Sequence, residues 1–127
     1  MFLNLLKCKL HGARVTDANL DYEGSIEIDE ELIRAAGLRP FEQVHVLNVT
    51  NGERIETYVI VGPPGSKRIC LNGAAARKAE RGDKVLILSY VWLEEKELAS
   101  HKPRVVVLDD ANEIVTVKDH SALWPEE

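Results

Sequence analysis

VHVLNV and RIETYVIV, residues 44–49 and 54–61, stand on either side of Thr50-Asn51-Gly52. Asn and Gly readily take the left-handed backbone of a tight hairpin, so Asn-Gly between two β-like runs predicts an antiparallel pair. Outward from it, further strands are expected over Leu3 to Val15, Arg68 to Leu71, Lys84 to Leu93, Arg104 to Leu108 and Glu113 to Lys118. The turns between them carry Pro63-Pro64-Gly65, Arg81-Gly82-Asp83 and Asp109-Asp110-Ala111-Asn112. Many short strands with regular turn signals predict a sandwich or a small barrel.

Helical signals are few. Asp29 is placed to cap a helix over Glu30 to Ala36, with acidic residues in its first turn and Gly37 just past its end. Gly73 to Ala79 is expected to start a short helix whose first amides face outward. Leu93 to His101 (LEEKELASH) is expected to form a third. Ser121 to Glu127 reads as a loosely held tail. No repeat or linker divides the chain.

The chain has 127 residues, 45% of them hydrophobic and 29% charged, which suits one folded domain over residues 1–127 and excludes a disordered chain. Its net charge is −5, so binding nucleic acid through bulk electrostatics is not expected, although a local basic pocket for a small anion is allowed. No apolar stretch reaches the roughly 18–20 residues of a membrane span. The start, MFLNLLKCKLHGARV, is interrupted by Lys7 and Lys9 and lacks a signal-peptide pattern. Cys8 and Cys70 fit no CxxC motif and read as free thiols in a reducing compartment, so a soluble cytoplasmic protein is expected. His45, His101 and His120 are scattered. Cys8 and His11 are three apart but lack two further ligands, so no metal is expected. Trp92, in a strongly apolar run, is expected in the core or at an interface.

Asp21-Tyr22-Glu23-Gly24-Ser25-Ile26 places a Gly-Ser pair between an extended segment and the capped helix. By itself this is an ordinary turn composition. It also permits chemistry. A Ser25 hydroxyl able to attack the Gly24 carbonyl would convert the amide to an ester. Gly24 has no side chain to block the approach and tolerates unusual φ/ψ. Elimination from the ester would cut the chain and leave dehydroalanine, which hydrolyses to a pyruvoyl group. That group is a built-in ketone able to condense with an amine and draw electrons.

Four stretches make the reading specific: Lys9-Leu10-His11; Tyr22-Glu23-Gly24-Ser25; Asn48-Val49-Thr50-Asn51-Gly52 with Arg54 and Thr57-Tyr58; and Asn72-Gly73-Ala74-Ala75-Ala76. In their order and spacing the chain resembles the pyruvoyl-dependent aspartate 1-decarboxylase family, over residues 1 to about 95. Past that point the match is loose, and Leu47 stands where an aromatic residue is expected.

The resemblance implies a mainly β fold, a small double-psi β-barrel with a few short helices. It implies self-cleavage into a β chain of residues 1–24 and an α chain of residues 25–127, and a homotetramer with active sites between subunits. The implied activity is decarboxylation of L-aspartate to β-alanine and CO2, for pantothenate and coenzyme A synthesis. It would run through a Schiff base with a pyruvoyl group made from Ser25, with no metal and no pyridoxal phosphate. Whether cleavage is spontaneous or needs a maturation partner is left open.

By the same resemblance, Ser25 and Tyr58 are catalytic, and Gly24 and Ser25 flank the cleaved bond. Lys9, Arg54, Thr57, Gly73, Ala74 and Ala75 bind substrate, with His11, Tyr22 and Asn72 supporting them. The residue types suit these roles. A phenol titrates near pH ~10 and keeps a proton to return to a carbanion. Guanidinium offers carboxylate a two-pronged fork, and lysine a compact charge. Small residues at a helix start let backbone amides approach an anion. On a regular strand, Arg54 and Tyr58 share a face with Cα atoms about 13 Å apart, while Thr57 points the other way. A local bulge, or a pocket completed by another subunit, would reconcile Thr57 with a substrate role. The rival readings are a non-catalytic β-barrel binding module and a pyruvoyl decarboxylase for another amino acid.

Overall fold

The Asn-Gly hairpin forms between β4 (Gln43–Asn48) and β5 (Arg54–Gly62), paired from Leu47 opposite Arg54 to Gln43 opposite Tyr58. Its loop is wider than a two-residue turn. The Asn48 N–H bonds the Glu53 carbonyl at 2.8 Å, and Asn48 Oδ1 accepts from the Thr50 N–H at 2.9 Å. Gly52, at φ 78°, takes the left-handed position.

In this computed structural model, residues 1–125 are described. The remaining strands are β1 (Phe2–Arg14), β2 (Asp17–Asn19), β3 (Ser25–Asp29), β6 (Ile69–Asn72), β7 (Lys84–Glu94), β8 (Arg104–Leu108) and β9 (Ile114–Asp119). One helix, α1 (Glu30–Ala36), follows β3. The nine strands make one sheet in the order β2-β6-β3-β5-β4-β7-β1-β8-β9. Antiparallel ladders predominate, but β1 with β8, β2 with β6, and β3 with β5 run parallel. This crossed mixture agrees with the double-psi barrel expected of the chain, and the fold is mainly β. Among the described residues, no helix is long and apolar enough to cross a membrane.

The core lies on one face of the curved sheet, where Leu10, Ile26, Ile28, Val44, Val46, Val59, Leu71, Val85, Ile87 and Val106 meet Leu32 and Ile33 of α1. Burying each such side chain stabilises by roughly 1.5–3 kcal/mol. A one-residue slip of β3 would turn Ile26 and Ile28 outward, so the core fixes Ser25 opposite Asn72. The expected cap is present. Asp29 Oδ1 accepts from the Glu31 N–H at 2.8 Å, and Gly37 closes the helix at φ 82°.

Several expectations change. The helix expected over Leu93 to His101 is absent: β7 runs on to Glu94, held by Phe2 opposite Glu94, and only Glu95–Glu97 forms a short 3-10 turn. The segment from Gly73 is also 3-10, over Gly73–Lys78. Trp92 is exposed, which excludes the core reading within one chain. Of the tail expected over Ser121 to Glu127, residues 121–125 carry no helix or strand, and residues 126 and 127 lie outside the described residues.

Candidate active site

The Gly24-Ser25 junction sits where the Asp21-Tyr22-Glu23 turn enters β3. Ser25 is only 2% exposed. Its Oγ donates to the Glu23 carbonyl at 3.2 Å and accepts from Asn72 Nδ2 at 3.0 Å. Neither contact is a base, so the pair orients the hydroxyl rather than deprotonating it. Asn72 is held in turn by Cys70, whose Sγ lies 3.4 Å from Asn72 Oδ1. Burial pushes the Cys70 thiol pKa above its ordinary value, so it stays protonated and serves as a donor here.

Gly73 explains the tight approach at this point. It has φ 66°, and a Cβ built on it would fall 2.8 Å from Gly24 Cα and 2.9 Å from the Tyr22 carbonyl oxygen. Any larger residue would push the Tyr22-Glu23-Gly24 segment away. The tolerance for unusual φ/ψ expected of Gly24 is not used here. Gly24 is outside the left-handed region, and a Cβ there would touch nothing within 4 Å. Ala74 is exposed and Ala75 half-buried, on a turn too short to present a row of free helix amides.

Strand alternation sorts the other candidates by face. Ile26 pairs with Leu71 and Val59 on the core side, so Ser25, Asn72 and Tyr58 stand together on the outer side. Arg54 shares that face, as does Leu47, its partner on β4. Leu47 pairs with Leu86, and Leu86 with His11, so one rung crosses four strands from Arg54 to His11. That is about 14 Å along the sheet at one strand spacing per step. Lys9, two residues before His11 on β1, projects from the same face. Thr57 pairs with buried Val44 and points coreward with Ile55 and Val59. No register shift interrupts β5 against β4 between Arg54 and Tyr58, so a bulge there does not account for Thr57.

The structure thus brings together Tyr22, Gly24, Ser25, Asn72 and Gly73, with Tyr58 on the neighbouring strand. It leaves Lys9 and His11 on β1, four strands from β3 in the sheet order. Neither Lys9 nor Arg54 has an ion-pair partner among the described residues. His11 has its pKa held below the ordinary 6.5, first by burial and then by Lys9 and Lys84, so it is neutral at pH 7.

Three neighbours were not anticipated. Arg68 lines an open cleft of about 340 Å³ with Tyr22 and Asn72, but Glu27 neutralises it across 2.6 Å. Cys70 supports Asn72. The Phe41 ring lies 6.0 Å from that of Tyr58. Composition offers no signal for the Arg68 and Phe41 contacts, because each joins positions distant in the chain. Cys70 lies only two positions before Asn72, but its residue type does not mark it as a support.

A family model described as aspartate decarboxylase matches residues 1–115. The chain belongs to the aspartate decarboxylase family. It is 56% identical over 119 residues to the aspartate 1-decarboxylase of Caldicellulosiruptor bescii, covering 94% of this chain and 93% of that relative. It is 56% identical over 115 residues to the aspartate 1-decarboxylase of Dehalococcoides mccartyi, covering 91% and 93%. With that of Carboxydothermus hydrogenoformans it shares 55% over 119 residues, covering 94% of each. Among solved structures, the computationally designed msDPBB_sym2 protein covers 70% of this chain and 99% of its own, at 18% identity and a TM-score of 0.43. Membership of the aspartate decarboxylase family leaves no support for the reading as a non-catalytic binding module.

Proposed function

We propose that this protein decarboxylates L-aspartate to β-alanine and CO2, using a pyruvoyl group made from its own Ser25, and so feeds pantothenate synthesis. The observation that carries the reading is the enclosed Ser25 hydroxyl, bonded to Asn72 and covered by Gly73 packed on Gly24, within a chain of the aspartate decarboxylase family.

The residues at the junction fit such a group. In maturation, Ser25 Oγ attacks the Gly24 carbonyl carbon, the amide nitrogen leaves it and takes the hydroxyl proton, and an ester results. Loss of the Ser25 α-proton expels the Gly24 carboxylate and leaves a dehydroalanine terminus. Water then replaces its nitrogen as ammonia to give the ketone. Asn72 holds Oγ in place, and the glycine at 73 keeps the segment close.

A pyruvoyl group at position 25 would supply a ketone able to condense with an amine and to accept electrons. The chain's own residues do the rest. Arg54 offers a guanidinium fork to a substrate carboxylate, and Lys9 a second positive charge. Tyr58 keeps a proton on Oη for return to the carbon that loses CO2. His11, its pKa held down by burial and by Lys9 and Lys84, stands on the same strand two positions from Lys9. Because Lys9 lies four strands from β3 in the sheet order, the reading includes a homotetramer whose sites form between subunits, where β1 of one chain faces β3 and β5 of another. It also includes a cytoplasmic location and no metal.

Intact-mass measurement on purified protein tests the proposal. Two fragments meeting at Gly24 and Ser25, with β-alanine formed from aspartate, are expected. A single intact chain for Ser25→Ala, without activity, is the matching control. A fully active protein of one unbroken mass would overturn it, and turnover of another amino acid in preference to aspartate would move the substrate assignment.

A further inference from the structure

We propose that Phe41 is a positioning residue for the Tyr58 proton donor, its ring carried on a strained turn that fixes the direction of the phenol. The inference rests on the donor role proposed above for Tyr58.

The turn runs from Arg39 to Glu42, whose N–H bonds the Arg39 carbonyl at 3.1 Å. Pro40 takes its second position and Phe41 its third, at φ 67°. This is the pattern of a type II turn, in which the third position requires positive φ and is normally glycine. A bulky aromatic residue there is strained. The ring is not repaid by burial, for Phe41 is 75% exposed. The aromatic ring it meets among the described residues is that of Tyr58, with centroids 6.0 Å apart and planes tilted by 32°. That separation lies within the range of attractive aromatic pairs.

The turn is anchored on every side. The Phe41 N–H bonds the Val59 carbonyl at 2.7 Å, and the Val59 N–H bonds the Glu42 carbonyl at 3.0 Å. Val59 directly follows Tyr58, so the two rings are registered through adjacent backbone. The Glu42 carboxylate accepts from Lys7 Nζ at 2.8 and 3.0 Å, from the Arg39 N–H at 2.9 Å, and from the Ser89 hydroxyl. Lys7 sits at a register shift of β1, and Ser89 lies on β7. Two central strands therefore hold the turn that holds the ring. Tyr58 stands on the outer face, where a lone side chain would sample several rotamers; a fixed aromatic neighbour restricts it.

Phe41→Gly separates positioning from stability, because glycine relieves the turn while deleting the ring. The expected result is a thermal midpoint unchanged or raised, normal cleavage at Gly24-Ser25 and unchanged light scattering. kcat per cleaved subunit should fall about 10- to 100-fold, the scale of a misplaced catalytic group. KM should stay near normal, and more subunits should be lost to inactivation during turnover, through protonation at the wrong carbon. Phe41→Tyr should restore kcat. Phe41→Gly with wild-type kcat and inactivation rate would overturn the proposal, as would activity lost only in step with melting or with a smaller assembly. Tyr58→Phe is measured in parallel. If it is fully active, the donor role fails and this inference with it. If it is impaired while Phe41→Gly is not, the inference alone fails.

Discussion

Asn72 reaches across from β6 to donate its side-chain amide to Ser25 Oγ at 3.0 Å, with both residues almost wholly enclosed. Removing that donor leaves the hydroxyl with the Glu23 carbonyl alone. A neutral hydrogen bond contributes about 0.5–1.5 kcal/mol, so Asn72→Ala should slow cleavage roughly 2- to 12-fold. A mass-spectrometric time course after purification of the precursor reads the rate directly. Cleavage at the unmodified rate would show that Gly73 and the turn suffice to place Ser25.

Arg54 tests the substrate end of the same face. Charged hydrogen bonds contribute about 1.5–3 kcal/mol, so Arg54→Ala should lower kcat/KM for aspartate at least tenfold while leaving cleavage complete. Arg54→Lys keeps the charge but loses the fork and should fall between the two. Near-normal kcat/KM for cleaved Arg54→Ala protein would remove Arg54 from the site.

The separation of Lys9 from Ser25 within one chain predicts complementation. Lys9→Ala and Ser25→Ala proteins should each be nearly inactive alone. Denatured together before maturation and reassembled as mixed oligomers, about a quarter of interfaces would join an intact Ser25 to an intact Lys9. Activity should reappear in that proportion. Mixed oligomers as inactive as their parents would place the whole site in a single chain.

His11 gives a pH signature. Burial, Lys9 and Lys84 hold its pKa below 6.5, so protonation favours the unfolded chain. The stability tied to its neutral form is therefore present above pH 6.5 and lost as pH falls toward the lowered native value. Denaturant midpoints should drop less steeply below pH 6.5 for His11→Gln than for the unmodified protein. Parallel curves for the two proteins would contradict this.

Much of the fold was legible from local signals. The Asn-Gly hairpin, the Asp29 cap and the Gly37 stop lie where the residues point, since each depends on neighbours within a few positions. Contacts between remote segments were not legible. Asp29 also accepts from the N–H groups of Gly65 and Lys67, tying α1 to a loop 36 and 38 positions away. The third helix failed for a related reason. LEEKELASH has helical composition, but the ladder with β1 carries β7 to Glu94 and tertiary pairing overrides propensity. Within the site, alternation correctly put Arg54 and Tyr58 on one face. Ser25 and Asn72 are 47 positions apart, and no spacing rule joins them. Phe41 was invisible because Pro-Phe is not the sequence a left-handed turn normally carries.

The place of β1 in the sheet changes what unfolding means for the matured protein. It lies between β7 and β8, paired with β7 from Phe2 to Arg14 through two register shifts, so residues 1–24 supply an interior strand rather than an appendage. Before the proposed cut, folding is a first-order event on one chain. After it, the interior strand belongs to a separate molecule, and losing the fold becomes a dissociation governed by mass action. Dilution then lowers the midpoint of the matured form more than that of the precursor, whose strands stay joined in one chain. A denatured precursor can find its fold alone, whereas denatured enzyme must wait for its missing strand at a rate set by concentration.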